Sequence, residues 1–166
     1  MQNSLSSITD TIFLSNWNSS VDKRLLRKNK IKYILCLNHE GSKKRFTGEG
    51  GVYDKLDIEH LYIDIEDVFN ADLKSIVPQI IDFMKNEANG NVLVHCTAGA
   101  SRSCAAVIAF LMHKAYYFRG RPYSTHILPR VTEFVRTRRH ECEPNYGFVN
   151  QLRSYENELI DRYART

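Results

Sequence analysis

An α/β domain is predicted, with a central, mostly parallel mixed sheet flanked by helices. Three observations carry this. Short apolar runs of strand length recur ("IKYILCL", "HLYIDI", "NVLVH"). Longer segments with apolar residues at helical spacing alternate with them. Strands alternating with helices build parallel sheets covered on both faces.

Taken in order, "TIFLS" (11–15) predicts a short strand. "SSVDKRLLRKNK" (19–30) predicts a helix capped by Ser19 or Ser20, with Val21, Leu25 and Leu26 on one face. "IKYILCL" (31–37) is a buried strand, and "HEGSKKRFTGEGG" (39–51) a polar loop punctuated by glycine. "HLYIDI" (60–65) is another strand. Ile76, Val77, Ile80, Ile81 and Met84 share a helix face. Pro78 belongs in a first turn, so that helix starts near Ser75, with Asp72 as its cap, and ends at Asn89-Gly90. "NVLVH" (91–95) is a buried strand and "SRSCAAVIAFLMHKA" (101–115) a strongly apolar helix. A second basic loop is expected over 116–126, then a helix over 127–139 with Pro129 near its start. The last helix, 145–163, carries Phe148, Leu152, Tyr155 and Leu159 in register.

The 166 residues suit one domain, 1–166, large enough to bury a core. Apolar content of 43% and charged content of 25% are ordinary for a globular chain. The net charge of +4 favours an anionic partner without requiring nucleic acid. Cys36, Cys96, Cys104 and Cys142 form no C-x-x-C pair, so no metal is expected. No signal peptide is visible at the N-terminus, and the longest apolar run, "CAAVIAFLM", is too short to span a bilayer. The expectation is an intracellular protein, cytoplasmic or nuclear, with free thiols, no cofactor and no membrane or nucleic-acid partner.

The chemistry concentrates in "VHCTAGASRS" (94–103), where a strand meets a helix N-terminus. Open α/β sheets bind ligands at such junctions. Thr97, Ala98, Gly99, Ala100 and Ser101 carry little bulk, so their backbone N–H groups can converge on one anion. The following helix adds unpaired N–H groups and its positive dipole end. Arg102 adds a planar fork that fits two phosphate oxygens. Positive surroundings lower a thiol's pKa from about 8.5 to roughly 3.5–7.5. Cys96, on the floor of such a cradle, is therefore a candidate nucleophile toward phosphorus, through a cysteinyl-phosphate. Ser103 can hydrogen-bond the sulfur and help it leave. A buried cysteine alone is ordinarily inert packing, and a glycine beside an arginine alone suits a tight turn or a rhodanese-like loop. The joint pattern His-Cys-x-x-Gly-x-Ser-Arg-Ser between strand and helix is far more specific.

That stretch resembles the signature loop of the dual-specificity phosphatases, within the protein tyrosine phosphatase superfamily. The resemblance extends over nearly the whole chain, through "ITDTIFLSN", "IKYILCLN", "AFLM", "EFVRTRR" and "EPNYGFVNQL". It implies the same fold, no cofactor, and a protein phosphatase whose partners are phosphorylated proteins. It also implies a general acid on a mobile loop after a strand. Asp67 matches that position, with Glu66 and Asp64 behind it. In this reading His95 is a structural support rather than a base. Asn145 is a loop support, with plain helix capping equally open. The compact length resembles the small atypical and viral-type members.

The segment between "AFLM" and "EFVRTRR" is longer than the family pattern. Arg119 and Arg121 stand there among aromatics, which suits a substrate-recognition or dimer-forming loop, or a solvated insertion with tyrosines packed on the body. "KKRF" (43–46) poses the same choice between a basic rim for phosphoproteins and ordinary loop charge. Nothing resembles the deep phosphotyrosine loop of classical tyrosine phosphatases, so a shallow pocket is expected, open also to phosphoserine and phosphothreonine. Cys36 and Cys104 are possible oxidation partners of Cys96, with core packing the stronger reading. Two other functions stand behind the first. One is a phosphatase for RNA 5′-phosphates or phosphoinositides, whose loops carry Asn-Arg-Thr or extra lysines. The other is a silent phosphate-binding module, which would ordinarily lose the cysteine or arginine kept here.

Overall fold

The computed structural model describes residues 4–39 and 51–164. Among these a five-stranded sheet runs β1 (Leu5–Ser7), β2 (Ile12–Ser15), β5 (Asn91–His95), β3 (Ile31–Asn38), β4 (Glu59–Asp64) from edge to edge. Only the β1–β2 pair is antiparallel; β2–β5, β5–β3 and β3–β4 are parallel. The mixed, mostly parallel sheet is the one expected, with β1 an antiparallel edge that the polar "LSS" did not announce.

Alternation along the strands sorts side chains onto two faces. Ile12, Leu14, Leu35, Leu37, Val92 and Val94 join the larger core. Phe13, Ile34 and Leu93 point the other way and pack with Leu26, Tyr53 and Ile58. α1 (Trp17–Ser20) leads into α2 (Lys23–Lys28), which covers the smaller cluster together with α3 (Val52–Lys55). The larger is covered by α4 (Val77–Met84), α5 (Arg102–Arg119), α6 (Leu128–Arg138) and α7 (Tyr146–Ala164). α5 is buried all round from Arg102 to Phe110, as a central helix must be. Each large apolar side chain so buried contributes about 1.5–3 kcal/mol.

Three boundaries differ from expectation. The segment 17–28 is two helices, because Asn16 caps the first and Asp22 the second. The Asp22 carboxylate accepts from the Arg24 and Leu25 amides at 2.9 and 3.1 Å. Ser19, expected as a cap, instead accepts from the Ser4 amide at 2.6 Å and ties down the N-terminal strand. The helix from Val77 ends at Met84, and a 3-10 turn, Lys85–Ala88, carries the chain to Asn89. The first four residues of the expected loop 116–126 are helix: α5 continues to Arg119 and closes on Gly120 with φ +66°, a left-handed cap that suits glycine. Buried Tyr116 extends it, donating to Glu156 at 2.9 Å. Beyond the cap, Tyr123 folds back edge-on to Tyr116, with Arg119 stacked on its ring. The segment 43–46 lies outside the described residues.

Parallel pairing puts the C-terminal ends of β2, β5, β3 and β4 along one rim. Ser15 and Cys36 flank His95, and Asn38 pairs with Asp64. The candidate site is built on that rim.

Candidate active site

The loop from β5 to α5 is defined by where its carbonyls go. Every carbonyl from Cys96 to Ser101 has a donor. Cys96 O accepts from His95 Nδ1 at 3.3 Å, and Thr97 O from the Trp17 amide at 3.1 Å. Ala98 O and Gly99 O accept from Arg139 Nη2 and Nε at 3.4 and 2.6 Å. Ala100 O accepts from the Glu143 amide at 2.7 Å, and Ser101 O from the Ala105 amide at 2.8 Å. No peptide here is cis, and in a trans peptide the C=O and the next N–H point opposite ways. With each carbonyl tied to its donor, the N–H that shares its peptide points away from that donor. Gly99 makes this visible: its N–H donates to Cys96 Sγ at 3.2 Å. Its φ of +68° favours glycine, and a Cβ there would lie 2.5 Å from the Ser15 carbonyl oxygen and from Arg139 Nη2.

Cys96 is 2% exposed and Ser103 fully buried, with Sγ and Oγ 3.1 Å apart. Ser101, at the start of α5, makes no side-chain cap, because its hydroxyl accepts from the Asn145 amide at 2.9 Å. The first amides of α5 are thus left without a side-chain cap, an arrangement suited to an anion. Arg102 is buried too. Its Nη1 donates to Asn38 Oδ1 and Ile65 O at 3.0 and 3.2 Å, and its Nη2 to Thr97 Oγ1 at 3.4 Å. His95 is fully buried, and burial pushes its imidazole down to about 4, so it stays neutral at physiological pH.

Asp67 lies across the rim, exposed, three residues beyond β4. Asn145 Nδ2 donates to its Oδ1 at 3.0 Å. Asn145 also caps α7, accepting from the Phe148 amide at 2.9 Å. Further along α7, Gln151 donates to Ala71 O at 2.9 Å and accepts from the Lys74 amide at 3.0 Å. Lys74 pairs with Glu158, and a Cβ on Gly147 would lie 1.7 Å from Phe69 O, so glycine is required for this close approach. The segment 67–74 is thus strapped along one helix. Asp64 and Glu66 face His39 instead, each 3.4 Å from one of its ring nitrogens. Asp72 caps the following turn through the Ser75 amide at 3.1 Å, as expected.

Two residues were not anticipated. Asn38, 3% exposed, gathers donors from His39 N, Thr97 Oγ1 and Arg102 on one oxygen. Arg139 reaches the loop from behind. Each ends a segment that resembles the family, "IKYILCLN" and "EFVRTRR", but nothing local gives it a role; the pairing of β3 with β5 and the packing of α6 bring them here. Cys104 Sγ donates to Gly99 O at 3.5 Å, and burial beside Cys96 pushes the Cys36 thiol up to about 12. All four cysteines are free and buried. Among the described residues no cluster of His, Cys, Asp and Glu is placed to hold a metal, and no helix is long and apolar enough to cross a membrane.

The chain is similar to known proteins in sequence and fold. The family described as "Dual specificity phosphatase, catalytic domain" matches residues 12–158. The Drosophila melanogaster dual specificity protein phosphatase Mpk3 is 36% identical over 154 residues, 92% of this chain and 34% of that protein. The chain thus spans about a third of that relative's length. The Arabidopsis thaliana dual specificity protein phosphatase 1B is 29% identical and covered over 83% of its length. Among solved structures, a human tyrosine phosphatase-like serine/threonine/tyrosine-interacting protein superposes with a TM-score of 0.78 at 29% identity, over 94% of this chain and 97% of the other. The Yvh1 phosphatase domain of Chaetomium thermophilum gives 0.77 at 29% identity, over 93% and 96%. The chain belongs to the dual specificity phosphatase catalytic-domain family.

Proposed function

We propose that this chain is a cysteine-dependent protein phosphatase that hydrolyses phosphotyrosine and phosphoserine or phosphothreonine through a cysteinyl-phosphate. The observation that carries the reading is the buried Cys96 sulfur between the Gly99 N–H and the Ser103 hydroxyl, in a loop whose carbonyls are all tied to donors. The amides of Thr97 to Arg102 seat the equatorial phosphoryl oxygens, and the Arg102 fork, released from Asn38 and Ile65 O, takes two of them. The Cys96 thiolate attacks phosphorus in line. The phosphorus–oxygen bond to the substrate breaks as Asp67 gives the leaving oxygen its proton, a step worth about 10²–10⁴-fold. Water then attacks the phosphocysteine, returning a proton to Asp67. The phosphorus–sulfur bond breaks, and the Ser103 hydroxyl stabilises the departing thiolate. His95 and Asn145 hold the loop and the acid. The exposed position of Asp67 supports a shallow site, open to short as well as long phosphorylated side chains.

The test is a panel of phosphotyrosine and phosphothreonine peptides, triphosphorylated RNA and phosphoinositide, each with the wild type and Cys96→Ser. Hydrolysis of both phosphopeptides, abolished by the substitution, is expected. Turnover confined to RNA or to phosphoinositide would replace the protein-phosphatase reading. Turnover that survives Cys96→Ser would remove the cysteine from the mechanism.

A further inference from the structure

Arg139 begins just past the last residue of α6. Its backbone is extended (φ −141°, ψ 99°), so its side chain leaves the helix and runs beneath the phosphate loop. It is 1% exposed, among the largest fully buried side chains of the protein. Its guanidinium donates to Gly99 O and Ala98 O on one side, and to the Ser4 and Ser6 hydroxyls, each at 3.0 Å, on the other. All these acceptors are neutral, and among the described residues no carboxylate forms an ion pair with it. A buried cation without a counter-ion is costly and persists where something compensates it.

The two carbonyls that it holds belong to the Ala98–Gly99 and Gly99–Ala100 peptides, whose N–H groups point the opposite way. We propose that Arg139 is a positioning residue for phosphoryl transfer: it fixes the orientation of the Gly99 and Ala100 amides, and its unpaired charge lies behind the anion they hold. This rests on reading the loop as a phosphate cradle. Arg102 closes on the substrate from the front; Arg139 stays behind the loop and touches only backbone.

The test uses Arg139→Met, which removes charge and bonds, Arg139→Lys, which keeps the charge but cannot span both carbonyls, and the double variant Ser4→Ala with Ser6→Ala, which removes only the rear contacts. Steady-state kinetics on a phosphotyrosine peptide are read beside orthovanadate and inorganic phosphate affinities and a thermal melt. For Arg139→Met, kcat should fall roughly tenfold to a hundredfold, given that a lost oxyanion donor costs about 10²–10³. Affinity for vanadate, which mimics the five-coordinate transition state, should fall by a larger factor than affinity for phosphate. Arg139→Lys should recover part of kcat. The serine double variant should lower the melting temperature and leave kcat within twofold. A merely structural arginine would lower both affinities by the same factor, and that result overturns the proposal. So does wild-type kcat in either folded Arg139 variant, or failure of both to fold. Should the wild type itself hydrolyse no phosphopeptide, the phosphatase reading fails, while the vanadate-to-phosphate ratio still decides the role of Arg139.

Discussion

The two halves of the site are held in opposite ways. His95, Cys96, Gly99 and Ser101 to Ser103 are buried, and every carbonyl from Cys96 to Ser101 is tied by a donor. The segment 66–70 stands in solvent, with Phe69 71% exposed, and the chain around it is strapped to α7 by the side-chain amides of Asn145 and Gln151. The contrast follows from the chemistry each half is proposed to do. Amides that stabilise developing charge act through fixed dipoles in a dry setting, where small displacements cost rate. A proton donor must be recharged in every cycle, and so needs water within reach. Substitutions in the first half should therefore damage fold and chemistry together, and those in the second half chemistry alone.

Gly99→Ala is the most severe test. The left-handed backbone costs a side chain about 1–2 kcal/mol, and overpacking against the Ser15 backbone about 1–3 kcal/mol more. A melting temperature lower by many degrees, with no measurable phosphatase activity, is expected from a thermal melt and a phosphopeptide assay. A stable, active variant would show that the loop is not as tightly held as its hydrogen bonds state.

Asp67→Asn comes next and should do the reverse. Turnover of poor leaving groups, such as a phosphothreonine peptide, should fall about 10²–10⁴-fold. A good leaving group, a nitrophenyl phosphate, should be nearly spared, with the melt unchanged. Equal slowing of both substrates would exclude Asp67 as the acid and return attention to Glu66 or Asp64.

The sequence stated one half of the site more fully than the other. The loop from His95 to Ser103 is legible because its parts are consecutive: small residues, an arginine and two hydroxyls, all between a strand and a helix. Its tethers are not. Arg102 and Asn38 are 64 positions apart, and Arg139 and Gly99 are 40 apart. Only strand order and helix packing make such pairs neighbours. Asp67 rested on resemblance alone, since several carboxylates crowd that stretch and nothing local says which one Asn145 meets. The misread cap of α2 has a plainer cause. Serine and aspartate compete as caps, and Ser19 is drawn away by a contact with Ser4 that lies 15 positions back.

Acid should also separate the halves. The imidazole of His95 titrates near 4 in the fold, against about 6.5 in the unfolded chain. Between those values the unfolded state binds more protons, so stability is fully present above pH 6.5 and is lost as pH falls toward 4. The loss is a few kcal/mol at most. His113, also held down by burial, adds in the same direction, so the comparison must be with a His95→Asn variant. Denaturant unfolding at pH 7.0 and 4.5 should show a smaller loss for that variant than for the wild type. Identical pH dependence in His95→Asn would show that His95 does not couple the loop to acid.

The smallest effect expected is the most discriminating for the second half. Asn145 does two things at once: its oxygen caps α7 through the Phe148 amide, and its nitrogen holds Asp67. Asn145→Ala removes both, and should cost about 1 kcal/mol of stability with a several-fold drop in turnover of a phosphothreonine peptide. Asn145→Asp separates them. A carboxylate caps a helix N-terminus as well as an amide does, so the melt should stay at the wild-type value. Toward Asp67, however, it offers no donor and sets a like charge where an N–H stood, so turnover should fall at least as far as in the alanine variant. Asn145→Asp with wild-type turnover would mean that the strap to Asp67 is incidental and that Asn145 serves the helix alone. A shared loss of turnover with divergent melts would establish that the end of α7, besides closing the fold, holds the proton donor in place.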